Sequence, residues 1–464
     1  MSSILKVRDI LPFQINEELN FTGAKAYYVD ELGTVFLRSI HGTSLLLSRQ
    51  LFNEIIENTF SKKLSLILKS RGFINEFDRY DIRKHKPLPR FFMIDFTTKC
   101  NLNCYYCLRH FPDSGETITQ EQLTEILDYI VKYCKENNIS TIGLQPWGGE
   151  PLIAVDRIIY MQDYLISKNI NAQISIQTNG LLLSDKMCQT LKNRNFSIGV
   201  SFDGCKFVQN KQRKDISGND TFDKISKNIQ VLKKYYGNNF GSISVNTRFG
   251  LPHIEETLDN FAKEIGIKSV KMNLMHPNCD DFDMTSVIME KEIDGFVARI
   301  IDKLISLNKE GYRIFDSNIR DKIFNLLYGN CSELCHSDGC TGGFSSVTFA
   351  RNGDIYPCEL VGNEKVRLGN IKDEVSLSNL ISLNIDNNIY FHEKKKKECE
   401  NCDWFVHCRG GCTASCFSYK RKIGEVDEKE CAVNLSLYPR LIKLILTDDE
   451  SIKFLSNFAI KVME

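Results

Sequence analysis

The sequence predicts an α/β protein: a partial (β/α)6 TIM-like barrel, preceded by a small N-terminal α+β, winged-helix-like module and followed by a C-terminal cysteine-rich domain. Three observations lead there. Between residue 90 and about residue 280, six apolar or β-branched runs alternate with amphipathic segments, the pattern of a parallel sheet with crossover helices. The first 85 residues have a shorter rhythm. The 17 cysteines are bunched, three at 100–107 and ten from Cys331 to Cys431.

A chain of 464 residues exceeds one typical domain, so two or three are expected. Lys+Arg and Asp+Glu both total 59, a balance that leaves no electrostatic footprint for nucleic acid or an anionic membrane. No apolar stretch approaches the length that spans a bilayer. The opening Met-Ser-Ser-Ile-Leu-Lys-Val-Arg-Asp lacks an apolar signal segment, so a cytoplasmic protein is expected. In that reducing compartment, clustered cysteines bind metal or do catalysis more often than they form disulfides.

Residues 1–85 form the first unit. Segments 26–29 and 35–40 are strand-like, separated by the turn-prone Asp30-Glu31-Leu32-Gly33. Ser48 is placed to cap a helix with Leu51, Phe52, Ile55 and Ile56 on one face. A second short helix ends near Arg71, with Gly72 as its stop signal. An irregular extension of the next domain is the alternative reading.

The barrel is expected over 90–283, with strands at 91–98, 141–147, 173–178, 196–202, 243–249 and 270–275. Thr119 with Gln122 makes a capping box ahead of Leu123, Ile126, Leu127, Ile130 and Val131 at helical spacing. Six units suit an open or partial barrel better than a closed eight-stranded one, with sites at the C-terminal strand ends. A helical linker follows at 284–330, then the cysteine-rich domain at 331–435 and a helical tail at 436–464. The lysine run at 394–397 reads as a solvated loop.

Cys100-Asn-Leu-Asn-Cys104-Tyr-Tyr-Cys107 directly follows the first strand. Composition alone would produce three cysteines at that spacing about 0.02 times per such chain. Thiolates this close in a loop wrap zinc or an iron–sulfur cluster. Three ligands leave one iron of a cubane open to a substrate or cofactor; a zinc site completed by His110 or a distant residue is the alternative.

These positions match the CxxxCxxC motif of the radical S-adenosylmethionine (SAM) superfamily, which the chain resembles at successive strand ends. Gly148-Gly149-Glu150-Pro151 resembles the family's GGEP motif, which implies that the backbone and Glu150 hold the SAM amino group. Gln177-Thr178-Asn179-Gly180 ends the third strand as in many relatives, and Ser201-Phe202-Asp203-Gly204 ends the fourth. Ser201 resembles the residue that contacts the SAM ribose, Arg213 stands where relatives often carry an arginine, and Tyr106 fits the aromatic that shields adenine. Relatives usually have proline after Asp-Gly; this chain has Cys205, read as a free loop thiol. The resemblance implies reductive cleavage of SAM to methionine and a 5′-deoxyadenosyl radical that abstracts hydrogen from substrate.

Cys399, Cys402, Cys408 and Cys412 are followed by Cys431 and preceded by Cys340 and Cys358. In this order they resemble the SPASM domain, which carries two auxiliary [4Fe–4S] clusters. The resemblance implies one cluster on Cys340, Cys358 and Cys412, with Cys335 or else Cys331 as the fourth ligand. It implies the other on Cys399, Cys402, Cys408 and Cys431, for three [4Fe–4S] clusters in all. Cys134 and Cys188 read as small core residues, and Cys279 as a plain loop thiol. Glu359, next to Cys358, matches an acidic residue proposed in sulfatase-maturing relatives as the base that removes a substrate proton; an ordinary structural glutamate is the alternative.

The resemblance runs nearest to maturases of ribosomally made peptides, which often place a leader-binding module before the barrel. Residues 1–85 would fill that place. The expected function is hydrogen abstraction from a precursor peptide to form a thioether or other crosslink, with a flavodoxin- or ferredoxin-type electron donor. An anaerobic sulfatase-maturing, formylglycine-generating enzyme is the second reading. A non-catalytic electron carrier or zinc scaffold is a third, which leaves the ordered strand-end motifs unexplained.

Overall fold

The computed structural model describes residues 4–77, 85–107, 115–276, 284–329, 340–360, 364–392, 395–420, 422, 424–458 and 463. The N-terminal module is an antiparallel sheet of β1 (Lys6–Ile10), β4 (Ala24–Tyr28), β5 (Thr34–Ser39) and β6 (Ser44–Ser48), in that order. A small hairpin, β2 (Phe13–Gln14) with β3 (Asn20–Phe21), lies between the first two. Helices α1 (Arg49–Ile56) and α2 (Lys62–Ser70) follow, capped by Ser48 and Ser61, whose hydroxyls accept from the Leu51 and Leu64 amides.

The two expected strands are present, and β1 and β6 are additional. Strand β1, Lys-Val-Arg-Asp-Ile, is too charged to read as a strand, and β6 carries a continuous Leu45-Leu46-Leu47 run without alternation. That run is explained by burial on both faces. Ala26, Val35, Leu37 and Leu47 pack with Phe52, Ile55, Leu64 and Leu68, while Tyr27, Phe36 and Leu46 join the core of the main body.

The six expected barrel strands form, all parallel and in chain order across the sheet: β7 (Phe91–Thr97), β9 (Thr141–Gly148), β10 (Asn171–Thr178), β11 (Ser197–Ser201), β13 (Gly241–Asn246) and β14 (Ser269–Leu274). Between them run α3 (Gln120–Glu136), α4 (Val155–Ser167), α5 (Asp185–Asn193), α6 (Lys206–Gln212), α7 (Phe222–Tyr236) and α8 (Ile254–Asp259). The Thr119–Gln122 capping box closes reciprocally, at 2.9 and 3.2 Å. A two-stranded antiparallel ribbon, β8 (Leu102–Cys104) with β12 (Arg213–Asp215), lies beside the sheet.

The sheet continues past the barrel on both sides. Beyond α9 (Glu290–Lys309), β15 (Phe315–Asp316) pairs with β14, and α10 (Ser317–Tyr328) follows. At the other edge β16 (Ser346–Phe349) pairs parallel to β7, extended by β17 (Asp354–Tyr356) and β18 (Gly369–Asn370) into ten strands. The remainder is helical: α11 (Leu377–Ile385), α12 (Phe405–Cys408), α13 (Thr413–Lys420), α14 (Glu428–Thr447) and α15 (Asp449–Ser456). Helix α14 runs across the boundary expected at 435, so Cys431 lies in its first turn. Among the described residues, no helix is long and apolar enough to cross a membrane.

Candidate functional site

The first cysteine loop leaves the C-terminal end of β7 and is held on two sides. On one side the end of β9 pairs with it: the Gly149 amide donates to Thr97 O at 2.7 Å and the Glu150 amide to Lys99 O at 2.9 Å. A Cβ on Gly149 would stand 2.1 Å from the Lys99 carbonyl oxygen, and one on Gly148, whose φ is +132°, 2.1 Å from Thr97 O. The two glycines are therefore required by the closeness of the two loops. On the other side β12 pairs with β8, setting Arg213 opposite Cys104.

Glu150 is buried, and its carboxylate accepts from the Asn179 amide (2.7 Å), the Thr178 hydroxyl (2.7 Å) and the Leu152 amide (3.1 Å). Burial pushes its carboxyl up, against the pull of these donors. The glutamate thus ties the end of β9 to the end of β10. From the same corner Asn179 Nδ2 donates to Asn101 Oδ1 at 2.7 Å and reaches Cys100 Sγ at 3.8 Å. Ser201 accepts from Gln177 Nε2 at 3.1 Å.

Asp203 is the centre of a buried polar network. Its Oδ2 accepts from Tyr106 OH (2.7 Å), Gln212 Nε2 (2.9 Å) and Arg213 Nε (3.1 Å), and its Oδ1 from the Val245 amide (3.0 Å). Arg213 Nη1 also reaches Cys104 Sγ at 3.8 Å, and the guanidinium lies 5.3 Å from the Tyr106 ring centre. Burial, which disfavours its charge, is outweighed by the ion pair with Asp203, so Arg213 stays charged. The Tyr106 ring packs against Met275 and Val287, and burial keeps its phenol protonated as a donor.

Do these residues fit a cluster? Cys100, Cys104 and Cys107 act electrostatically on one another, and burial pushes the first two thiols up to about 11 and about 12. Three convergent thiols beside a fixed guanidinium form a donor set that a cationic iron cluster would stabilise as thiolates. They fit.

Among the described residues, the C-terminal cysteines fall into two groups. Cys340, Cys358 and Cys412 share one apolar cluster with Val366, Tyr390 and Ala414, and the three thiols act together on the Tyr390 phenol. Cys340 Sγ lies 2.9 Å from Tyr390 OH, and the Cys358 thiol donates to Glu359 Oε2 at 3.3 Å. Cys399 and Cys402 act on Cys431, and Cys402 on Cys408. A cleft of about 590 Å³ opens between this second set and the N-terminal sheet, lined by Lys25, Arg38, Lys395, Cys399, Cys402 and Arg409. Cys331, Cys335, His110, Cys279 and Lys394 lie outside the described residues. Cys134 and Cys188 are core residues, as expected.

Sequence reasoning missed Asp203 as a hub, and with it Gln212; the only signal was a Asp-Gly turn after a strand. It also missed Asp403 and Trp404, directly after Cys402, on which the N-terminal module docks. Tyr27 OH donates to Asp403 Oδ2 at 3.0 Å, Lys25 pairs with the same carboxylate, and Arg38 donates to the Asp403 carbonyl. Cys205, read as a free loop thiol, is instead buried at the N-cap of α6.

Comparisons with known proteins agree with this arrangement. The family model described as the radical SAM superfamily matches residues 94–265, and the SPASM model, described as an iron–sulfur cluster-binding domain, matches residues 340–403. The cysteine-type anaerobic sulfatase-maturating enzyme of Clostridium perfringens is 28% identical over 326 residues, 68% of this chain and 85% of that protein. The radical SAM cyclopropyl synthase TigE of Paramaledivibacter caminithermalis is 22% identical over 424 residues, 86% of this chain and 84% of that one. The fold is that of the structure titled native anSMEcpe with bound AdoMet and Cp18Cys peptide. It has a TM-score of 0.65 and 24% identity, over 77% of this chain and 99% of that one.

Proposed function

From a chain that carries a radical SAM domain followed by a SPASM domain, we propose a maturase that modifies a side chain of a peptide substrate by hydrogen abstraction. The observation that carries the reading is the convergence of Cys100, Cys104 and Cys107 between the Gly148–Glu150 backbone and the β12 strand. A cluster on those thiols with SAM supplies reductive cleavage of SAM and the 5′-deoxyadenosyl radical. The chain's own residues do the rest. Glu150 and Asn179 fix the strand ends around the loop, Ser201 and Tyr106 are proposed to meet the ribose and adenine, and Arg213 holds positive charge beside Cys104. Two further clusters are proposed, on Cys335, Cys340, Cys358 and Cys412 and on Cys399, Cys402, Cys408 and Cys431. The cleft beside the second set gives a flavodoxin- or ferredoxin-type donor an approach.

Between substrates, the relatives favour what the sequence reading put second. The Clostridium perfringens protein matched over two-thirds of this chain is a cysteine-type anaerobic sulfatase-maturating enzyme, which supports oxidation of a cysteine side chain to formylglycine. Glu359 suits the base. Its carboxylate lies 3.3 Å from the Cys358 thiol, beside the proposed auxiliary cluster, and a carboxylate there would accept a substrate proton.

Crosslinking of a ribosomal precursor peptide is the second reading, and one observation favours it. Strand β1 is paired on one side only among the described residues, and Val7 on it and Ile4 and Leu11 flanking it are exposed. An extended leader would add there as a fifth strand.

The test is anaerobic reconstitution with iron and sulfide, then assay of 5′-deoxyadenosine with SAM and dithionite. Wild type should form it and Cys104→Ala should not. A cysteine-containing sulfatase-derived peptide separates the readings. Formylglycine gives a hydrazide-reactive aldehyde, whereas a crosslink removes two hydrogens and gives none. No nucleoside from a fully iron-loaded protein would overturn the proposal.

A further inference from the structure

Three potential metal ligands meet outside every cysteine set assigned above. Cys205 follows the Asp203-Gly204 turn at the start of α6, and its residue is 2% exposed. His253 immediately precedes α8, and Glu256 lies within that helix. His253 Nδ1 is 2.8 Å from Glu256 Oε2. One donor atom from each residue (thiol sulfur, imidazole nitrogen, carboxylate oxygen) lies within 4.8 Å of the other two.

The backbone enforces this meeting. Gly204 has φ +91°, and a Cβ there would stand 2.2 Å from Thr257 Cγ2, so the turn is pressed onto α8. The Phe207 ring lies against the His253 ring with centroids 4.6 Å apart, which restrains the imidazole. A helical His–Glu pair at this spacing contributes little by itself; the Cys205 thiol is held at the same point by the Thr257 hydroxyl and the Phe207 and Val208 amides.

The chemistry of the set selects the ion. Magnesium and calcium take oxygen ligands, and iron–sulfur clusters take thiolates. A mixed sulfur, nitrogen and oxygen set suits zinc, whose tetrahedral ligands stand about 3.5 Å apart at ordinary bond lengths.

We propose that Cys205, His253 and Glu256 bind one zinc ion, leaving the fourth position to solvent on the side of the exposed Glu256. The thiol gives its proton to solvent as the S–Zn bond forms. The ion straps the start of α6 to the start of α8 behind the turn that carries Asp203. The inference is independent of substrate class and of the reading under Proposed function.

The experiment uses the full chain after cluster reconstitution, desalted and titrated anaerobically with zinc chloride. One zinc per chain should be retained beyond the iron, with a zinc X-ray absorption spectrum showing one sulfur and otherwise nitrogen and oxygen neighbours. His253→Ala should weaken binding more than about 100-fold, beyond what loss of an outer partner costs, with iron content unchanged. Glu256→Gln, at a solvent-exposed position, should weaken it too, and guards against a folding defect in the first variant. No retained zinc in wild type, equal retention in both variants, or an all-sulfur shell that places zinc on other cysteines would each overturn the proposal.

Discussion

Asp203 shows how one carboxylate can organise a site without touching the chemistry. Four donors from three segments converge on it, and one of them, Arg213, is itself buried and charged. Removing the carboxylate leaves that guanidinium uncompensated, which costs about 3–5 kcal/mol for a buried pair broken on one side. Asp203→Ala should therefore lower the thermal unfolding temperature of the reconstituted protein and loosen the Cys104 side of the loop, read as faster loss of iron to a chelator. Asp203→Asn, which keeps the shape and one acceptor oxygen, should fall between. Little of this was legible beforehand. Cysteine spacing announces itself because thiols are rare, whereas aspartate before glycine is what any turn looks like. The partners Gln212 and Val245 are brought to Asp203 only by the tertiary fold.

At the level of elements, legibility followed length and periodicity. All six barrel strands could be read because they repeat one strand–helix pattern, and the Thr119 cap because its partner Gln122 stands at the capping-box spacing ahead of a periodic helix. Strands β8 and β12 could not, since each has three residues, yet they set Arg213 beside Cys104. Strand β1 was hidden for another reason: an edge strand facing solvent carries charge where an inner strand carries apolar residues. That edge can be tested directly. If a leader peptide adds to β1, Val7→Lys should weaken binding of a fluorescently labelled precursor peptide about tenfold, in keeping with loss of one buried aliphatic side chain. 5′-Deoxyadenosine formation without peptide should stay unchanged. Unaltered peptide binding would remove the main support for the precursor-peptide reading.

Across the whole molecule, the N-terminal module is fastened to the cysteine-rich domain rather than tethered loosely ahead of the barrel. Arg38 is buried, donates to the Asp403 carbonyl, reaches His407 Nε2 at 3.5 Å and lies 5.2 Å from the Trp404 ring centre. Tyr27 stacks on the same tryptophan. Because Asp403 follows Cys402 directly, whatever shifts the module is felt at a proposed cluster ligand. Arg38→Met should cost about 2–3 kcal/mol, as expected when buried polar partners are left unpaired, and should speed proteolytic release of the module. No sequence pattern announces such a contact, since its two halves lie more than 360 positions apart.

The pairing of β7 with β16 joins the first strand of the barrel to a segment some 250 residues later. On a ribosome adding 5–20 residues per second, the edge of β7 stays open for roughly 10–50 s after it emerges. Through that interval Phe92 and Ile94 have a neighbour on one side at most, in a strand with high tendency to pair with another chain. The nascent protein therefore carries an open strand edge until its last quarter is made.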